Sequence, residues 1–416
     1  MARILLHTLV FAPDGVSTAQ LLSELTQDLQ THGHQIVVLT TQPHYNRDLD
    51  AEGRQPLKQR WFGLYYTSQY HGMRVIHTRM RRKGERVSGR FSDYLMFHTL
   101  SLILGLLLVG RQDIILAPSP PLTIGVIGWI LARLKGAKFV YNVQEIYPAL
   151  MVQMGMISED ARLYKVLKWL ERFVYRCANV IIPISDMFKG HILAEGTAPE
   201  KVVTIPNFVD TGFICPGSKD NPLARELNLV HKFVVLYAGN IGMTQSFDMI
   251  VEVMKRLAQH AHIHFLIVGD GARRAYVEEV IRELGATNVT MLPYQRRQVV
   301  PNIYATGDLH LVPLMAGTAR TTIPSKIYTI MASGRPALVS VDHDSELVSL
   351  VETAHCGVWT PPDNADALET AVLQAYTNQE QFQDYGGNGR RYIEQHYSRT
   401  AVSARYHALI CQLTES

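Results

Sequence analysis

Two hydrophobic patterns alternate along the chain. Short unbroken runs rich in Val, Ile and Leu fall at residues 3–10, 36–40, 75–77, 114–117, 139–143 and 180–184, then at 233–239, 264–268, 289–292, 309–314 and 337–341. Between them lie longer stretches with apolar residues three or four apart. The first pattern predicts strands of a parallel sheet covered on both faces, and the second predicts the helices that cover it. After the first strand, Ser17 and Gln20 have the spacing of a capping box, Leu21, Leu22, Leu25 and Leu29 make one apolar face, and Gly33 marks the stop. The alternation runs twice, which predicts an α/β protein of two doubly wound parallel-sheet domains. Residues 206–210 and an aperiodic stretch at 215–221, rich in Gly, Pro and charge, separate the two series. The expected division is 1–210, 211–395, and a terminal helix over 396–416 that packs back on the first domain.

Composition narrows the picture. A chain of 416 residues is too long for one core, and 47% apolar with 19% charged residues suits a well-packed α/β protein. A net charge of +3 without any nucleic-acid-reading motif argues against nucleic acid as a partner. Cys177, Cys215, Cys356 and Cys411 are far apart and lack clustered His partners for zinc, so a reduced, cytoplasmic protein is expected. The apolar run at 4–11 has no basic lead or small-residue cleavage site, and reads as a strand.

Ligands of such sheets bind at the carboxyl ends of strands, so the loops there hold the candidate chemistry. In 320–336, Pro324 sets a helix entrance, Ser325 is placed to cap it, Lys326 brings a cation to its mouth, and Gly334 with Pro336 closes the far end. Unpaired first-turn N–H groups and the positive dipole end make an anion site there; the plain alternative is an ordinary capped helix. Gly239-Asn240-Ile241-Gly242, Gly269-Asp270-Gly271 with Arg273 and Arg274, and Pro293-Tyr294-Gln295 follow other strands. Singly, each is equally a tight turn, and the arginines equally a solvated helix face.

In this order the loops resemble the family 4 retaining glycosyltransferases of the GT-B fold. The likeness extends to Phe11-Ala-Pro-Asp-Gly15 and to Tyr141-Asn-Val-Gln-Glu-Ile-Tyr-Pro148, and so spans nearly the whole chain. Pro-Ser-Lys-Ile-Tyr at 324–328 and Gly-Asn-Ile-Gly at 239–242 point to the bacterial capsule, exopolysaccharide and O-antigen branch, of colanic-acid type. The resemblance implies two Rossmann-like domains facing across a cleft, coupled by C-terminal helices. The second would hold a nucleotide-diphosphate sugar, expected to be UDP-linked, and the first a lipid-linked or growing glycan acceptor. Implied donor contacts are Gly15, Gly239, Asn240, Gln245, Gly269, Gly271, Arg274, Tyr294, Gln295, Arg320, Thr322, Ser325, Lys326 and Thr329. Lys326, Glu145 and Thr321 are the implied catalytic set, and no metal or other cofactor is expected. Retention of configuration follows from the likeness alone.

The chain departs from the family pattern in several places. Thr321 and Thr329 stand where many members have glutamates, and Asn240 and Gln245 where many have Arg and Lys. A threonine hydroxyl can bond a sugar but carries no charge. Lys326 is therefore left as the phosphate cation, with Arg320 a substitute or a solvent-facing residue. Gln144 replaces a frequent histidine and is followed by Glu145, either a base toward the acceptor, a group orienting the sugar, or a structural hydrogen-bond partner. These departures keep open a catalytically silent subunit that binds nucleotide or glycan within a transferase complex.

Arg79, Arg81, Arg82, Lys83, Arg86 and Arg90 face one acid, Glu85, ahead of an apolar run at 95–109. That run falls short of the roughly 20 residues of a spanning helix. The expectation is peripheral docking on the anionic cytoplasmic face of the membrane through Arg81, Arg82, Lys83 and Arg86. The alternative is a buried helix behind a basic loop. Lys165, Lys168, Arg172 and Arg176 share a broad face of a later helix and favour the membrane. Of Trp61, Phe62, Tyr65 and Tyr66, most are expected to pack in the core, with lining of the acceptor site the other use.

Overall fold

The strands segregate into two sheets that divide the chain. The structure, a computed structural model, describes residues 1–44, 49–81, 90–283, 285–320 and 324–415. Residues 1–207 with 402–416 form one compact unit and 208–401 the other.

In the first unit, β1 (Arg3–His7), β2 (Gln35–Thr41), β3 (Lys58–Arg60), β4 (Tyr65–Tyr70), β5 (Met73–Thr78), β6 (Ile114–Pro118), β7 (Lys138–Val143) and β8 (Val180–Pro183) form one sheet. Its order is β3-β4-β5-β2-β1-β6-β7-β8, parallel from β5 to β8 and antiparallel along β3-β4-β5. The second unit has β9 (Phe233–Ala238), β10 (Ile263–Val268), β11 (Val289–Leu292), β12 (Leu309–Pro313), β13 (Ala337–Ser340) and β14 (Gly357–Thr360), all parallel, in the order β11-β10-β9-β12-β13-β14. Both parallel cores follow the doubly wound order, with the winding reversed between β1 and β6 and between β9 and β12. The loops after those strands therefore flank the natural crevice of each sheet. Ile4, Leu5 and Leu6 of β1, and Val234, Val235 and Leu236 of β9, are almost fully enclosed, as strands covered on both faces must be.

Several local expectations are corrected. The first helix runs Ser17–Thr31, so Ser17 lies inside it. Val16 holds the cap position, no side chain caps, and Gln20 bonds Glu24 instead. Its end is as expected: His34 N–H reaches Leu29 O (3.1 Å) and Gly33 N–H reaches Gln30 O (2.9 Å), with Gly33 at φ +87°. β1 stops at His7 because the Thr8 hydroxyl donates to Val10 O (3.0 Å) and turns the chain into its loop. The β3 and β4 strands and β14 carried no alternation visible in the sequence. Trp61 and Phe62 are 67% and 105% exposed, which overturns core packing for both; Tyr65 is buried. No helix among the described residues is long and apolar enough to cross a membrane.

Candidate functional site

The helix expected to hold phosphate is Lys326–Ala332. Its C-terminal closure is built as the sequence suggests: Gly334 at φ +68° lets Arg335 N–H reach Ile330 O (3.3 Å) and its own N–H reach Met331 O (3.0 Å). The N-terminal expectation is corrected. Ser325 has helical backbone angles (φ −60°, ψ −14°) and its hydroxyl makes no cap bond. A capping serine needs an extended backbone to fold its oxygen over the first turn. Ile327 and Tyr328 N–H groups instead bond Pro324 O (3.3 Å) and Ser325 O (3.1 Å), so fewer N–H groups face outward than a free helix start offers.

Lys326 carries the electrostatics that remain. Its Nζ lies 3.8 Å from the ring centroid of Tyr237 on β9, a cation–π contact. Among the described residues no carboxylate pairs with it, and burial pushes its ammonium down to about 7. Gly239 makes room: a Cβ there would sit 3.1 Å from Nζ. The Tyr237 hydroxyl is turned to Asn240 O, which ties the ring under the lysine to the same loop.

The glycine loops meet each other. Gly239 N–H bonds Val268 O (2.9 Å), Ile241 N–H bonds Asp270 O (2.8 Å) and Arg273 N–H bonds Ile241 O (3.0 Å). A Cβ on Gly269 would lie 1.8 Å from Gly239 O, and one on Gly271 would lie 2.4 Å from Ile241 O. Their φ values of +152° and +156° also disfavour side chains. The immediate need for glycine is thus the approach of one loop to the other. Gln245 accepts from Gly242 N–H (3.0 Å) and donates to Thr244 Oγ1 (2.8 Å), holding the loop from within. Arg274 reaches Leu292 O (3.1 Å), Gly269 O and Glu278 (2.7 Å), while Arg273 pairs with Asp248 (2.6 Å). Asn240 and Tyr294 remain exposed, Tyr294 at 53%. Gln295 donates to Pro293 O (3.0 Å), and Thr329 is hydrogen-bonded to Tyr304. Arg320 ends the short turn Thr318–Arg320; Thr321 and Thr322 lie outside the described residues.

Two family models divide the chain at the same place as the sheets. "Glycosyl transferase 4-like domain" matches residues 18–207 and "Glycosyl transferases group 1" matches 232–378. The chain belongs to the family 4 glycosyltransferases. It is 25% identical over 389 residues to the Escherichia coli (strain K12) protein named "Putative colanic acid biosynthesis glycosyl transferase WcaI", covering 90% of this chain and 92% of that one. The fold is GT-B. Sucrose-phosphate synthase from Thermosynechococcus elongatus superposes with a TM-score of 0.78 at 17% identity over all of both chains. Anabaena HepE in complex with UDP does so with 0.71 at 15%, over 99% of this chain and 100% of that one.

In the first unit of the glycosyltransferase, Glu145 sits on the loop after β7. Burial pushes its carboxyl above the usual range, against a hydrogen bond from Tyr147. Neighbouring Gln144 is locked in a chain: its Nε2 donates to Asn142 Oδ1 (2.6 Å) and Asn207 Oδ1 (3.1 Å), and Asn207 Nδ2 returns a bond to its Oε1 (2.8 Å). Gly15 is exposed on the loop after β1. Beside it lies a polar cluster that sequence reasoning missed. Buried Asp14 accepts from His44 N–H (3.0 Å), Gln55 Nε2 bridges Ala12 O (3.0 Å) and Ser68 Oγ (2.9 Å), and Ser68 Oγ meets His77 Nε2 (2.8 Å). Burial holds His77 down at about 4, so it is neutral there. Only the β4–β5 hairpin brings Ser68 and His77 together, and that hairpin has no sequence signature.

Of the residues assigned to the membrane, Arg81 is exposed with its Nε 3.5 Å from Asp93. Arg82, Lys83 and Arg86 lie outside the described residues. Among the described residues the fold also assembles two groups with metal-ligand chemistry, where the sequence had shown no clustered partners. At Glu171, His191 and Glu195 the cation place is taken: Lys168 Nζ is 2.7 Å from both carboxylates. At His34, His407 and Cys411, His34 Nδ1 accepts Ala2 N–H (3.1 Å), so the proton of its neutral ring sits on Nε2, which faces His407 Nδ1 at 2.9 Å. A ligand lone pair at that Nε2 would require giving up the Ala2 bond. Asp342-His343-Asp344 has a carboxylate spacing suited to a cation, but Asp342 accepts Gly317 N–H (2.7 Å).

Proposed function

We propose that this glycosyltransferase moves a sugar, with retention, from a UDP-linked donor to a lipid-linked or growing glycan acceptor in cell-surface polysaccharide synthesis. The acceptor side is proposed to lie at the cytoplasmic face of the membrane, with the basic segment around Arg81 as one contact. One observation carries the donor reading. Lys326 is a half-buried lysine whose amine has no carboxylate partner among the described residues, at the strand ends where a doubly wound sheet binds its ligand. UDP is the proposed nucleotide because HepE, of the same fold, was solved in complex with UDP; polysaccharide synthesis follows the name of the E. coli relative.

Cleavage of the donor leaves added negative charge on the departing diphosphate. A fixed cation there stabilises that charge more in the transition state than in the ground state. The diphosphate would also restore the Lys326 proton, since a nearby anion favours the charged amine. Lys326 supplies the charge that a metal would otherwise bring, and transfer is proposed to need none. Tyr294 offers an exposed ring for the base, and Asn240 an exposed amide; Gln245 and Arg274 support the loops from within. Glu145, whose carboxyl is raised above the usual range by burial, is proposed to act on the acceptor.

The test is purified protein with a panel of nucleotide sugars and a membrane lipid extract, following nucleotide release and glycolipid formation. Lys326→Ala is expected to lower transfer about a hundredfold, the usual scale for losing one charge-stabilising group, with the melting temperature of the protein preserved. Unchanged turnover would remove the assignment. A second reading, a silent nucleotide-binding subunit, is favoured by the internal engagement of Gln245 and Arg274, and predicts nucleotide binding without transfer to any acceptor.

A further inference from the structure

The helix Arg162–Cys177 is turned inside out. Its one carboxylate, Glu171, is fully buried, held by Lys168 (2.7 Å), His191 (3.0 Å) and the Tyr175 hydroxyl (3.1 Å). Three of its apolar residues point the other way: Leu163, Val166 and Trp169 are 51%, 59% and 63% exposed, while Val174 and Tyr175 are buried on the inner face with Glu171. Spaced three apart, they make one stripe on the outer face. Trp169 is backed by Phe173, stacked at 5.6 Å, and Phe173 in turn meets Trp129 of the adjoining helix Thr123–Lys135 at 5.2 Å. The stripe is thus presented on a firm base. Arg162, Lys165 and Arg176 flank it, all exposed and without a carboxylate partner among the described residues, and Arg172 adds a cation shared with Glu195 (2.8 Å). The exposed acids nearest in sequence, Glu159 and Asp160, precede the helix at its N-terminal end.

A helix that hides its carboxylate and exposes leucine, valine and tryptophan among cations is wrongly built for water. It is rightly built for an interface with an apolar interior and an anionic surface. We propose that this face docks on an anionic phospholipid bilayer, with Leu163, Val166 and Trp169 entering the interfacial region and Arg162, Lys165 and Arg176 meeting lipid phosphates. The inference rests on the membrane-side reading above, yet assigns the contact to a helix distinct from the basic segment at Arg81. Tryptophan at such a boundary keeps its ring in the apolar layer and its N–H among headgroups.

The test is flotation of the full-length protein with vesicles of phosphatidylglycerol and phosphatidylethanolamine, against vesicles of phosphatidylcholine alone. Binding is expected only to the anionic vesicles and is expected to weaken with salt. L163Q/V166Q/W169Q, all at exposed positions, is expected to lower partition about tenfold or more, and R162E/K165E similarly, with melting temperatures unchanged. Absence of wild-type binding to anionic vesicles would overturn the proposal. So would equal binding by the glutamine variant, or loss of binding only with Arg81→Glu. A dimer by light scattering that the glutamine variant abolishes, with vesicle binding intact, would reassign the face to a second copy of the chain. Nucleotide-sugar binding, read separately by melting shift, uses none of these residues: its failure would sink the transfer reading and leave this one standing.

Discussion

Lys326 shows how little of a residue's chemistry is set by its neighbours in sequence. Its place at a helix mouth was legible, because Pro324 ahead and Gly334 behind bracket a two-turn segment. Its ring partner Tyr237 is 89 positions away and carries no local signal. The lowered ammonium sets two expectations. In the unfolded chain a lysine titrates near its ordinary value of about 10.4, whereas in the fold burial holds it at about 7. Between those values the unfolded chain binds more protons, so this group makes stability rise with pH across the window and adds no slope below or above it. Urea titrations from pH 7 to pH 10 should show that increment in the wild type and its absence in Lys326→Met, which is expected to be the more stable protein at pH 7. The second expectation concerns binding. At pH 8 the empty protein holds Lys326 mostly neutral, so a diphosphate should bind with uptake of about one proton. Calorimetry in buffers of different ionisation enthalpy reads that number, and Lys326→Met should bring it near zero.

At the scale of elements, the parallel strands were legible because burial on both faces demands unbroken Val, Ile and Leu. The runs at 36–40, 139–143 and 264–268 each fall within a residue of the strand found. The same logic explains the misses. Lys58, Gln59 and Arg60 of β3 are all exposed, so the strand has no apolar face to betray it, and β14 is half-exposed along most of its length. The order of the loops that follow those strands was also legible; the contacts each residue makes within them were not. Gly269 and Arg274 are engaged by partners that only the fold supplies, Gly239 O and Leu292 O, while Gln245 is held within its own loop. That division of labour is testable with alanine. Gly269→Ala would put Cβ against backbone that has no side chain to move aside, and should destabilise by about 3 kcal/mol or more. Gly136→Ala has the left-handed strain (φ +66°) but no atom within 4 Å, and should cost only about 1 kcal/mol. Equal losses in denaturant unfolding would show that backbone strain, rather than loop contact, is the reason for glycine at 269.

At the scale of the molecule, the chain crosses from the first unit to the second and then returns. The helix Arg399–Glu415 begins in the second unit, and from Val402 onward its residues belong to the first. Within that unit the returning segment is held by packing and by specific bonds. Val402, Tyr406, Leu409 and Ile410 are buried, the Ser403 hydroxyl donates to Asp28 Oδ2 (2.7 Å), and His407 meets His34 at 2.9 Å. The anchor therefore grips the helix Ser17–Thr31, which leads out of the loop carrying Asp14 and Gly15, and His34 in the turn just before β2. Ile410→Ala should create a cavity and cost about 3 kcal/mol, within the usual range for a buried isoleucine. The cost should be local to one unit if the segment is an integral part of it. Hydrogen exchange would then quicken across 17–41, next to the anchor, and stay unchanged across β12 and β13 of the second unit. Equal acceleration in both sheets would mean that the returning helix stabilises the two units as one cooperative body, and that the division at Val402 has no energetic counterpart.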